Sequence, residues 1–321
     1  MEKMLAGDRL ALARLITQVE NRSAVVPEIM RRVHGRTGRA YTVGITGPPG
    51  AGKSTVIDQL TALLRAGGSS VGIVAVDPSS PFTGGALLGD RIRMQSHTLD
   101  PQVFIRSMAT RGSLGGLALA TGDVIKLLDA FGKDWILVET VGVGQTELDI
   151  LRQADTVVVV LVPESGDSVQ TMKAGLMEVA DIFVVNKADR DGADLLATEI
   201  RFMAHLHRAS PAAPRDIDWE IPVLALQAQH GVGVEELLAE IRRHRATLED
   251  SGVLEKRRQA RRRSELRAIL AEELSREMSR RLEPDGDLGG TMERVVAGEL
   301  DPYSAVARIL GLIERSAGPS H

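Results

Sequence analysis

A doubly wound α/β fold on a mostly parallel sheet, extended by helices at both chain ends, is the fold class these 321 residues predict. Three observations carry it. Short runs that are apolar throughout recur between residues 41 and 226, as expected of strands buried on both faces. Helical spacing lies between them, as at Val56, Leu60, Leu63 and Leu64. Polar and glycine residues gather where the runs end, and ligands of open α/β sheets bind at such carboxyl ends.

Residues 8–21 set Leu10, Leu12, Leu15, Ile16 and Val19 among Arg and Glu, which predicts a short amphipathic helix. Val26, Ile29, Met30 and Val33 predict a second, ending near Gly35. Residues 1–39 are thus expected to form a helical arm packed on the main domain. Tyr41 to Thr46 alternates and carries β-branched residues, a strand pattern. Gly47, Pro48, Pro49, Gly50, Ala51, Gly52, Lys53 and Ser54 follow it and read G-x-x-x-x-G-K-S, with Thr55 next in a helix. Strand, glycine loop and helix in this order define a P-loop NTPase. A bare match would also suit a glycine turn opening an ordinary helix, so the flanks matter more than the pattern. Further strands are expected at Val71–Val76 before Asp77, Val103–Ile105, Trp135–Val138 before Glu139, Thr156–Val162, Ile182–Val185 before Asn186, and Ile221–Leu226. Residues 40–250 form the predicted P-loop domain.

Beyond about residue 250 the character changes. Leu266, Leu270, Leu274, Met278 and Leu282 make a stripe broken by Glu283 to Gly286, and a later helix carries Tyr303, Val306, Leu310 and Ile313. Residues 251–321 are read as a C-terminal helical segment packing on its own domain or on a twin subunit. The basic cluster Lys256 to Arg263 runs into Glu265, Glu272 and Glu273, which predicts a solvated, partly salt-bridged face.

Composition narrows the function classes. With 43% hydrophobic and 26% charged residues the chain is of globular type. A net charge of −4 argues against a dedicated nucleic-acid binder. With no cysteine there is no disulfide, thiolate metal site or thiol nucleophile. The first residues lack a signal-peptide apolar core, and no stretch of about eighteen apolar residues is present. A soluble, cytoplasmic protein with no membrane partner is expected.

The glycine loop points to phosphate chemistry. Backbone N–H groups at a helix N-terminus wrap a phosphate, and the helix dipole favours its negative charge. Lys53 is placed to reach the β- and γ-phosphates and the Ser54 hydroxyl to ligate Mg²⁺. Asn186-Lys187-Ala188-Asp189 is an N-K-x-D signature after a buried strand. The Asp189 carboxylate can accept two hydrogen bonds from guanine N1–H and its amine, a pair adenine does not offer. Lys187 would lie over the base, and Asn186 would tie this loop to the P-loop. Glu139 stands at a strand end where nucleotide hydrolases keep an acid for Mg²⁺, with Gly142 three residues on. Asp77 and Asp90 flank a polar, glycine-rich stretch suited to a switch, though either could equally be a turn or cap residue. Of the seven histidines only His205 and His207 are close, and at i and i+2 on a helix they face apart.

With these motifs the chain resembles the MeaB/ArgK-type GTPases, chaperones of adenosylcobalamin-dependent acyl-CoA mutases related to human methylmalonic aciduria type A protein. The matching segments are Gly47–Ser54, Val76–Ser80, Arg106–Gly112 continuing to Gly116, Glu139–Gln145, Lys173–Gly175 and Asn186–Asp189. The Glu139-Thr140-Val141-Gly142-Val143-Gly144-Gln145 string is the most specific, because Glu replaces the Asp usual in Ras-like switch II. The resemblance implies a GTPase domain and C-terminal helices that build a homodimer. It implies GTP/GDP and Mg²⁺ as cofactors, Lys53 and Ser54 for phosphate and metal, Asp90 and Glu139 for the Mg²⁺ shell, and Asp77 for the hydrolytic site and the metal. Lys173 would lie in a third switch loop answering a mutase such as methylmalonyl-CoA mutase. Slow intrinsic hydrolysis, raised by the partner, is also implied; no arginine finger in cis is evident, Arg111 being one position left open. Two departures stand out: Glu164-Ser165 where relatives keep small residues, and Leu226-Gln227-Ala228 where a Ser-Ala pair usually supports guanine, with Ala228 the candidate base contact.

A nickel-inserting GTPase would want a His- or Cys-rich segment, and a signal-sequence targeting GTPase a methionine-rich helical domain. Neither is present in the sequence. A P-loop kinase would share the phosphate loop, but the guanine-reading loop counts against it.

Overall fold

The computed structural model describes residues 1–77, 97–109, 114–140, 145–163, 176–209 and 216–316. Asp90, Gly142, Arg111 and Lys173 lie outside the described residues. Seven strands form one sheet, every described pairing parallel: β1 (Tyr41–Thr46), β2 (Val71–Asp77), β3 (Val103–Ala109), β4 (Trp135–Thr140), β5 (Thr156–Leu161), β6 (Ile182–Asn186) and β7 (Val223–Leu226). Their order is β3-β2-β4-β1-β5-β6-β7, so β1 and β4 are central.

Helices precede and follow these strands. Among the described residues those of four residues or more are α1 (Glu2–Leu5), α2 (Arg9–Glu20), α3 (Val26–Val33), α4 (Lys53–Ala66), α5 (Leu114–Ala130), α6 (Gln145–Leu151), α7 (Ala193–Ala209), α8 (Val234–Asp250), α9 (Val253–Arg281), α10 (Gly289–Val296) and α11 (Pro302–Ser316). The apolar runs are continuous because both sheet faces are covered. Tyr41, Val43, Ile45, Leu137, Val158 and Val160 point to one face, against Val56, Ile57, Leu60 and Leu64 of α4 and Leu237 and Ile241 of α8. Val74, Val76, Ile136 and Val138 point to the other, against Leu117, Val124 and Leu127 of α5. Val157, Val159 and Leu161 continue that second face under α6 and α7. Such two-sided coverage is what doubly wound sheets need.

Residues of α1, α2 and α3 pack on this second face. Asp8 caps α2 by accepting from Leu10 and Ala11 N–H at 2.8 and 3.0 Å. Leu12, Ile16 and Val19 of α2, with Ile29 and Val33 of α3, are buried in the same apolar cluster as α5.

The amino ends of the strands carry a repeated device. Asp134, Asp155 and Asp181 each stand just before a strand. Their carboxylates accept the N–H of Ser70 (2.7 Å), Thr42 (3.0 Å) and Val157 (2.8 Å), on or beside the neighbouring strand. Asp155 is nearly sealed and also receives Arg258 at 2.7 Å and Arg261 at 2.9 Å. Those guanidinium groups hold its carboxyl below the usual carboxylate range against the opposing effect of burial, the largest single influence.

This corrects the reading of Lys256 to Arg263 as a solvated face paired along its own helix. Arg257 binds Asp216 at 2.9 Å, while Arg258 and Arg261 also donate to the carbonyls of Gly38, Ala40, Gln153 and Ala154. Glu272 and Glu273 pair instead with Arg276. At this helical spacing three arginines share a face, and the sheet's aspartates meet that face.

By contact density the chain divides into Met1–Arg261 and Arg262–His321. The second unit contains most of α9, then α10 and α11. Asp301 caps α11, accepting from Tyr303 and Ser304 N–H at 3.0 Å each. Leu266, Leu270, Leu274, Tyr303, Val306 and Leu310 are exposed in it.

Candidate nucleotide site

The carboxyl end of β1 leads straight into the glycine loop. Gly47 has φ +142°, and a Cβ there would lie 1.9 Å from the Val160 carbonyl oxygen, so no other residue lets the loop cross β5 so closely. Gly52, at φ +87°, lets Asn186 approach; a Cβ would lie 2.4 Å from its Nδ2. Between them Pro48, Pro49, Gly50 and Ala51 complete the loop, and α4 begins at Lys53, with Thr55 half-buried in its first turn.

Lys53 is buried, and its ammonium donates to the Gly47 and Pro48 carbonyls at 3.0 Å each. The loop therefore holds the cation at the mouth of the helix, beside the positive end of its dipole, where an anion is doubly favoured. Ser54 points to the neighbouring strand, and its hydroxyl donates to Glu139 Oε1 at 2.8 Å. Glu139 is 3% exposed and stands in register with Ile45 on one side and Ala75 on the other. A buried hydroxyl and carboxylate thus meet at the phosphate loop.

The Asn186 side chain joins three segments. Its amide donates to the Ala51 carbonyl at 2.8 Å, and its Oδ1 accepts the Ala228 N–H at 3.0 Å. The Ala188 N–H donates to the Leu226 carbonyl at 3.0 Å. Lys187 adopts φ +56°, a left-handed turn that ends β6 abruptly. Lys187 is half-buried and Asp189 is exposed beyond it. Asp77 closes β2 in register with Ala109, at the same carboxyl edge.

The structure thus brings Lys53, Ser54, Glu139, Asn186 and Ala228 together at one edge. Sequence reasoning passed over the buried Thr46–Thr140 hydroxyl pair at that edge, which only the strand order makes visible. A cavity of about 790 Å³ opens at the opposite edge, beside Asp155, Asp181 and Trp219. Its Arg257 and Arg208 are already paired with Asp216 and Asp218. The glycine loop, Lys53 and Glu139 lie at the other end of the strands.

Comparison with known proteins agrees with this geometry. The family described as "Methylmalonyl Co-A mutase-associated GTPase MeaB" matches residues 12–283. A Pyrococcus abyssi chain with a provisional GTPase name is 53% identical over 310 residues, spanning 97% of this chain and 94% of that one. The mouse "Methylmalonic aciduria type A homolog, mitochondrial" is 35% identical over 271 residues, 80% of this chain and 65% of its own length. A crystal structure described as an LAO/AO transport system kinase superposes with a TM-score of 0.69 at 27% identity, covering 98% of this chain and 96% of that one. No helix among the described residues is long and apolar enough to cross a membrane. The glycine loop, the guanine-type loop joined to it and the family match over most of the chain lead to one assignment: this chain belongs to the MeaB family of GTPases.

Proposed function

We propose that this GTPase is a chaperone of an adenosylcobalamin-dependent acyl-CoA mutase, using Mg²⁺-dependent GTP hydrolysis to gate cofactor loading and to protect or reactivate the mutase. The observation that carries the nucleotide reading is Asn186, which ties the guanine-type loop to the phosphate loop through Ala51 and to Ala228. Asp189 would accept the guanine donors, and Lys187 would cover the base. The Ala228 amide is already given to Asn186, so this residue serves the base by fixing the loop.

Lys53 would exchange two neutral carbonyl acceptors for charged phosphate oxygens, a stronger pairing. Ser54 and Glu139 offer hard oxygen donors side by side and fit a small divalent cation. Bound there with Asp77 and Asp90, Mg²⁺ would offset charge on the phosphates. Ser54 would then contribute its oxygen rather than its proton, leaving Glu139 to orient the metal's shell.

The chaperone reading draws support from the family's description and from the mouse relative's name. Lys173 is assigned to a partner-sensing switch. The exposed leucines of Arg262–His321 support homodimerisation, and the cytoplasm is the assigned compartment, with neither nucleic acid nor membrane as partner.

Hydrolysis of GTP beside ATP, with and without purified methylmalonyl-CoA mutase, tests the whole reading. Slow hydrolysis confined to GTP and accelerated by the mutase is expected. Equal use of ATP would refute the guanine assignment, and GTP use unmoved by any acyl-CoA mutase would refute the chaperone role. The kinase name of the LAO/AO structure favours one second reading, phosphoryl transfer to a protein or small molecule. Labelled phosphate appearing on an acceptor other than water in the same assay would establish it.

A further inference from the structure

Two threonines sit side by side at the carboxyl end of the central strands. Thr140 Oγ1 donates to Thr46 Oγ1 at 2.9 Å, and both residues are fully buried. By strand alternation Thr140 shares a face with Ile136 and Val138, an apolar layer that a pair of valines would fill as well. A buried hydroxyl pair contributes little net stability over an isosteric apolar pair. Packing therefore does not explain it.

Its location does. The backbone ladder between β1 and β4 runs as far as Ile45 opposite Glu139. On its other side β4 remains in register with β2 up to Val76 opposite Thr140. Beyond Glu139, the hydroxyl bond takes over the join between β4 and β1. It joins the strand that carries Glu139, the residue before Thr140, to the strand that leads through the glycine loop into α4 and Ser54, the other partner of the proposed metal site. The hydroxyl bond thus carries the join one residue past Glu139, adding a side-chain tie beyond the point where Glu139 is laddered to Ile45.

We propose that the Thr140–Thr46 bond is a positioning device for the GTPase reaction, holding Glu139 in reach of Ser54 and of the Mg²⁺ they would share. This rests on the reading of Glu139 and Ser54 given above. Groups that orient metal ligands typically cost about 10–100-fold in metal affinity or activity when removed.

The test uses the full chain with Thr140→Val, Thr140→Ser and the double variant Thr46→Val/Thr140→Val. Each is assayed for GTP hydrolysis across a Mg²⁺ titration, for Mg²⁺-dependent slowing of fluorescent-GDP release, and for thermal melting. The double variant is expected to melt close to the parent and Thr140→Val somewhat lower, yet both are expected to lose about tenfold in kcat and to need about tenfold more Mg²⁺ in both functional assays. KM for GTP should move less than about threefold, and Thr140→Ser should recover most of the rate. A double variant with the parent's rate and Mg²⁺ requirement would overturn the proposal and make the pair simple core filling. Should Thr140→Val fail to fold, the double and serine variants still decide. Glu139→Gln separates the two levels: if it leaves the Mg²⁺ requirement unchanged, the metal reading itself fails, whatever the threonines do.

Discussion

The two ends of this one sheet bury charge in opposite ways. At the amino end, Asp155 meets Arg258 and Arg261, and Asp181 stands 3.3 Å from His244 and 3.4 Å from Arg257. These are fixed groups of the chain, and no ligand is needed to complete them. At the carboxyl end, Lys53 rests on two backbone carbonyls, and a serine hydroxyl faces Glu139. Those partners are weaker than a phosphate or a divalent cation and can be exchanged for one. Burial of charge alone therefore does not mark the site. What marks it is buried charge whose present partners a ligand can outbid.

The largest expected effect tests the carboxyl end. Lys53→Ala should lower GTP hydrolysis by about 10²–10³-fold, since a positioned cation at developing phosphate charge contributes on that scale. Denaturant unfolding of the same variant separates this loss of rate from any loss of stability. A variant that melted far lower while hydrolysing normally would invert the contrast between the two ends.

Asp155→Ala should do the reverse, costing about 3 kcal/mol by removing the buried counter-charge of the largely covered Arg258 and Arg261. Denaturant unfolding measures this, and the remaining folded protein should keep the parent's kcat. The sign with pH follows from the lowered folded pKa of Asp155. Its contribution is complete above the unfolded value near 3.8 and disappears as pH falls through the lower folded value. The gap between parent and variant should therefore hold through neutral pH and close only in strong acid.

A smaller effect sharpens the picture of the amino end. Lys133, buried just before β4, is lowered from 10.5 to about 8 by burial first and by Arg9 and Arg65 next. Above about pH 8 the folded chain has released this proton while the unfolded chain still holds it up to about 10.5. Stability should thus rise with pH across that interval relative to Lys133→Met, a trend readable in denaturant midpoints.

Much of this was legible beforehand, for reasons local to the chain. A two-sided sheet demands runs such as Val157 to Leu161 that are apolar at each position, and these show at sight. Gly47 to Ser54 and Asn186 to Asp189 are contiguous, so their chemistry could be read without knowing where they lie. The expected strand ends at Glu139 and Asn186 followed from apolar runs meeting their first acid or amide. By contrast, the arginines at 257, 258 and 261 were read against glutamates on their own helix, because sequence displays neighbours one helical turn away. The partner of Arg258 and Arg261, Asp155, is 103 and 106 residues distant, and that of Arg257, Asp216, is 41 residues away. With the fold in view, Asp134, Asp155 and Asp181 form a pattern: an aspartate opens each of three strands.

The chain order of glycines, lysine, asparagine and aspartate thus settled the class of fold and the guanine-nucleotide chemistry, because those signals depend on backbone freedom and side-chain type within a few residues. Tertiary packing alone chose which distant groups would meet: Ser54 with Glu139, Asn186 with Ala51 and Ala228, Thr46 with Thr140, and the arginines with the aspartates of the opposite edge. The reason is physical. Strand order decides who stands beside whom, and it is set by the global burial of both sheet faces rather than by any local run of residues.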